Sequence, residues 1–173
     1  MNKEKKGYKK RGSKKLYAIL VAGVLLLGGC SSINTNEAAD VSKNADIPVT
    51  MDGDLVIDKG QVSEKVSFYG YKDGDTYMEV MAVKATDGTV RTALNTCQVC
   101  FDSGRGYYVQ KDDTVVCQNC GNVFNIDDIE KIKGGCNPVP IMGDNKTEDA
   151  EKITIGKSFL SENQEYFSNW AKQ

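Results

Sequence analysis

Histidine is absent from the whole 173-residue chain. Its absence excludes imidazole-held zinc, a Ser-His-Asp triad, Cys-His catalysis and histidine-held haem. Positive charge is scarce beyond the N-terminus. Residues 1–15 hold eight of the 22 Lys and Arg side chains but only one of the 24 acidic ones, leaving 14 basic against 23 acidic groups in the rest. Such a body offers no basic face to nucleic-acid phosphates. No apolar run is long enough to span a bilayer comfortably. There is no internal repeat beyond two short cysteine turns, and no residue set resembles an active site for an organic substrate.

What is present is a cysteine frame between Asn95 and Ile141. Cys97 and Cys100 form one C-x-x-C pair and Cys117 and Cys120 a second, with Cys136 following in Gly134-Gly135-Cys136-Asn137-Pro138-Val139-Pro140. Two such pairs at this spacing match the pattern of a four-thiolate metal site, because each turn aims both sulfurs at one ion. An all-sulfur cage suits zinc, iron or an iron–sulfur cluster. Two disulfides with one free thiol are the alternative for an exported chain, and thiol–disulfide chemistry with Cys136 as resolving thiol follows from it.

The chain divides into three parts. Residues 1–29 carry the marks of a lipoprotein signal peptide, with a basic n-region at Lys3–Lys15, a short apolar run from Leu16 and a small-residue site before Cys30. The stretch Leu27-Gly28-Gly29-Cys30 resembles the lipobox of bacterial lipoproteins. The resemblance implies cleavage before Cys30, lipidation of its sulfur and anchoring on the extracytoplasmic face of the cell membrane. Residues 30–46 are small and polar and read as a flexible tether. Residues 47–173 are the cysteine domain, with metal loops at 95–141.

Within that domain, Leu55–Ile57, Val66–Tyr71, Tyr77–Lys84 and Val90–Leu94 are short β-type runs separated by Lys-Gly and Asp-Gly breaks. The pattern predicts a mainly β fold: a small antiparallel sheet or barrel, an antiparallel meander beneath zinc-ribbon-like metal loops (Rieske-like by the resemblance given below), and a C-terminal helix. Met78 and Met81 lie on opposite faces of their strand, so packing is favoured over metal ligation. A short helix is expected at Asp127–Ile132, a loop through Gly134–Pro140, an acidic surface loop at Gly143–Glu151 and a strand at Ile153–Ile155. The terminal helix is expected over Ser161–Ala171, with Ser161 and Gln164 as a capping box and Phe167 and Trp170 packed on the sheet.

The run from Asp87-Gly88-Thr89-Val90 through both cysteine pairs, Gly106-Tyr107, Gly121, Phe124 and the GGCNPVP segment resembles the FtrD-like family of membrane iron–sulfur proteins. The likeness covers much of residues 50–160. It implies an iron–sulfur or iron centre linked to a membrane iron or metal uptake system, with a permease or membrane oxidoreductase as partner. Val116–Asn125 is similar to the second cluster box of Rieske-type domains, with Cys120 where a histidine would stand. That likeness places the GGCNPVP segment over the cluster and Cys136 beside the metal. Without histidine a true Rieske centre cannot form, and an all-thiolate site would have a lower potential. Lys9-Lys10-Arg11 is no twin-arginine signal, so the chain is expected to cross the membrane unfolded, which favours an ion acquired afterwards. The family likeness points to iron–sulfur and the export route to a simpler ion. An iron–sulfur or iron centre on Cys97, Cys100, Cys117 and Cys120, with Cys136 as a further ligand or redox partner, is the first expectation, and a zinc-stabilised binding module the second.

Overall fold

The computed structural model describes residues 47–172. The expected signal peptide, Cys30 and the tether lie outside the described residues. The fold grows from a meander of β3 (Ser67–Asp73), β4 (Thr76–Lys84) and β5 (Val90–Cys97). The expected Asp-Gly turns join them, with Gly74 and Gly88 at positive φ, a conformation glycine adopts without a Cβ penalty. The pairs are antiparallel, Tyr69 opposite Val80 and Val80 opposite Leu94.

Every residue from Met78 to Val83 is buried, so β4 is covered on both faces. Alternation along the strand sends Met78, Val80 and Ala82 into one apolar cluster and Met81 and Val83 into another. The two methionines thus pack on opposite sides, as their spacing implies.

A three-stranded sheet of β10 (Lys146–Glu148), β11 (Lys152–Ile155) and β2 (Leu55–Asp58) lies over the first cluster. It contributes Leu55, Ile57, Ile153 and Ile155, joined there by Leu160 and Phe167 from the C-terminal segment. A second three-stranded sheet of β6 (Tyr108–Lys111), β7 (Thr114–Cys117) and β8 (Val123–Asn125) supplies Tyr108, Val115 and Phe124 to the second cluster. The mainly β architecture is therefore a central sheet with a smaller sheet against each face. β1 (Val49–Met51) adds to the central sheet on the far side of β3, pairing with it in parallel.

Four local expectations change. The expected acidic loop at Gly143–Glu151 contains strand β10, Lys146–Glu148, paired with β11. Pro138–Pro140 forms β9, which pairs with β5. Proline lacks the N–H for an inner strand but is tolerated at a sheet edge, and β9 is an edge in the order β1-β3-β4-β5-β9. The segment after Asn125 is a 3-10 turn, Ile126–Asp128, followed by irregular turns; Glu130 stands at φ 68. Its carboxylate accepts from the Thr92 amide at 2.6 Å and pairs with the buried Lys146, so tertiary bonding replaces a helix. The C-terminal helix is α1, Lys157–Glu162, with a 3-10 turn over Gln164–Phe167. Ser161 is not its cap: the Ser161 hydroxyl and the Gln164 amide both donate to Asp73. Phe167 and Trp170 do pack together on the sheet, 5.8 Å between ring centres.

Leu94 is fully buried in the first cluster, whereas Val56 on β2 is half exposed. Leu94→Ala is expected to cost about 2–5 kcal/mol in urea unfolding, and Val56→Ala about 0.5 kcal/mol or less.

Candidate metal centre

Each C-x-x-C turn grows from the end of a strand. β5 ends on Cys97 and β7 on Cys117, so the first sulfur of each pair is fixed by a ladder and buried. The chain then turns, placing Cys100 half-buried and Cys120 exposed. The Cys100 amide donates to Cys97 Sγ at 3.3 Å. In the second turn the Gly121 amide donates to the Cys117 carbonyl at 2.9 Å, with Gly121 at φ 75. Gly106 passes against the first loop so closely that a Cβ there would sit 2.9 Å from the Cys100 carbonyl carbon and oxygen.

The third component is the segment before β9. Two donors converge on the Cys136 carbonyl: the Tyr108 hydroxyl at 2.9 Å and Asn122 Nδ2 at 2.8 Å. Gln98, inside the first C-x-x-C, binds the same segment three times. Its side-chain oxygen accepts from the Gly134 amide (3.2 Å), its Nε2 donates to the Pro138 carbonyl (3.2 Å) and its backbone amide donates to Asn137 O (3.1 Å). Cys136 Sγ consequently lies 3.7 Å from Cys100 Sγ and 3.6 Å from Cys120 Sγ.

All five predicted cysteines are therefore brought together. Two groups of three have every sulfur within 4.8 Å of the others: Cys97, Cys100 and Cys117, and Cys100, Cys120 and Cys136. None of the five is in a disulfide. Tyr108, Asn122, Gln98 and Gly106 were not singled out from sequence as positioning groups. Their signals were a β hairpin across Asp112-Asp113, which sets Tyr108 opposite Cys117, and an asparagine close behind each of Cys120 and Cys136.

The thiols differ electrostatically. Burial pushes Cys117 up to about 12. Cys97 is equally buried, but hydrogen bonding, including that from the Val99 and Cys100 amides, outweighs burial and lowers its pKa. Cys120 is drawn down to about 7, chiefly by the Asn122 amide. Cys136 is raised, first by its hydrogen bond with Cys120 and then by Cys100.

A soft metal fits this donor set. Among the described residues both groups close enough to hold an ion are all-cysteine, the ligand type that thiophilic metals select. Metal–sulfur bonds of about 2.3 Å give a tetrahedral edge of about 3.8 Å, close to the two measured sulfur separations. Residues 62–167 match the profile of the family described as "Membrane iron-sulfur containing protein FtrD-like". No curated protein matches the chain.

Gly106→Ala forces the Cys100 backbone to move, and metal bound per chain is expected to fall several-fold while far-UV circular dichroism keeps its β signature. In the metal-free protein the thiolate is the nucleophile, so Cys120 alkylation by iodoacetamide should rise with pH through about 7. Native Cys117 should stay unmodified over the same range, as peptide mass spectrometry would show.

Proposed function

The chain belongs to the FtrD-like family of membrane iron–sulfur-containing proteins, and we propose that its cysteine cluster carries an iron–sulfur or iron centre for electron transfer or redox handling of metal. The observation that carries this reading is the convergence of five thiols from three chain segments, graded from buried Cys97 and Cys117 to exposed Cys120. An all-thiolate iron centre, when bound, supplies one-electron chemistry at low potential.

The chain's own groups hold and orient that centre. Cys97 and Cys117 anchor it to the ends of β5 and β7. Tyr108 and Asn122 hold the Cys136 backbone over it, a layout in keeping with the Rieske-type likeness of two loops beneath a proline-bearing segment. The exposed Cys120 side brings electrons or metal within reach of a second protein. Val99, next to Cys100 in sequence, and Val123, three residues after Cys120, are about 60% exposed, which supports docking of a partner there. That partner is a membrane permease or oxidoreductase of a metal uptake system.

Among the described residues no helix is long and apolar enough to cross a membrane. We place the domain on the extracytoplasmic face, held by a lipid on Cys30. Lipid attachment would let it meet its partner by diffusion in two dimensions.

Purification without oxygen, metal analysis and a visible spectrum test the reading together. Iron with sulfur-to-iron charge-transfer absorption is expected. Zinc alone, with no visible absorption, would replace the redox centre by a zinc-stabilised module.

A further inference from the structure

Five thiols exceed the four that one tetrahedral ion accepts. Their arrangement divides them. The inner group, Cys97, Cys100 and Cys117, and the outer group, Cys100, Cys120 and Cys136, share one member. We propose that the cluster provides two cation positions with Cys100 Sγ common to both, each taking a divalent thiophilic ion such as ferrous iron or zinc. This rests on the reading of the cluster as a metal centre and states how many ions it takes and where.

The hydrogen bonding argues that Cys136 is built in as a donor. Its carbonyl takes two side-chain hydrogen bonds, and Gln98 fastens the residues on either side of it. A bystander thiol would not need anchoring from both cysteine loops. Cys136 Sγ is 3.6 Å from Cys120 and 3.7 Å from Cys100, the separations expected of three sulfurs on one ion.

The two positions are not equivalent. The inner one draws two of its three donors from strand ends that are buried, so its ion is resident. The outer one has exposed Cys120 and half-exposed Cys136. Three protein donors leave a fourth place for an exogenous ligand, and there the surface supplies access. The outer ion is thus the one that exchanges with a partner. Thiol protons leave to solvent as each ion binds.

Anaerobic cobalt(II) titration of the reduced, metal-free full-length chain tests this, with Cys30→Ser in all samples so that only the five thiols contribute. Thiolate-to-cobalt charge-transfer absorption and native mass spectrometry count the ions. Two equivalents are expected on the five-thiol chain and one on each of Cys136→Ser and Cys120→Ser. The second variant alters an exposed side chain, so it reports even if the first misfolds. Saturation at one equivalent on the five-thiol chain, or two equivalents on either variant, overturns the shared-thiolate arrangement and leaves metal binding standing. No cobalt bound at all would overturn the metal reading itself.

Discussion

Strand β5 is covered on both faces, and the rest of the domain hangs from that constraint. Leu94 points into one apolar cluster and Ala93 and Cys97 into the other. The strand therefore cannot slip by one residue without reversing every side chain. Pairing with β4 runs as far as Leu94; the β5–β9 register then shifts, and Cys97 stands opposite Pro138 with its sulfur buried in the second cluster. β7 repeats the device at Cys117, with Val115 in the same cluster. The two deepest thiols are thus placed by packing, and the looser ones by turns and hydrogen bonds.

A second, polar layer joins the halves. Asn95, fully buried, donates to the Glu79 carboxylate at 2.7 Å and accepts from the Tyr108 amide at 2.7 Å. Lys172 closes the set on Glu79 at 2.6 Å, and Trp170 Nε1 donates to the Asn95 carbonyl at 2.9 Å. Buried polar groups of this kind are stable only when satisfied. Here they lock the C-terminal tail, the meander and the β6–β7 hairpin at one point, two residues before Cys97. Cys97 and Cys117 thus rest on a stiff floor, while Cys100 and Cys120 lie in short turns.

How much of this could be read from the residues depended on the range of the interaction. The meander was readable because alternation and Asp-Gly turns are local signals, and the C-x-x-C pairs because their spacing is itself the chemistry. The β9 strand was not, since two prolines and two glycines argue against a strand unless it is known to lie at an edge. The Asp127–Ile132 helix failed for a related reason: Glu130 takes a positive φ to reach Thr92 and Lys146, which are distant in sequence. Likewise Ser161 has the composition of a cap but bonds Asp73 across the fold. Cys136 was visible as a residue, but its anchoring by Tyr108 and Asn122 needed the fold.

The central claim is that the cysteines of this FtrD-like chain form one thiolate metal centre, and not a set of spare thiols near a carboxylate site. X-ray absorption at the K-edge of the metal that co-purifies with the intact chain addresses it most directly. The account predicts a first shell made of sulfur at about 2.3 Å. A first shell dominated by oxygen at about 2.0–2.2 Å would contradict it, because the chain contains no histidine and only carboxylates, carbonyls or water would remain to bind the ion.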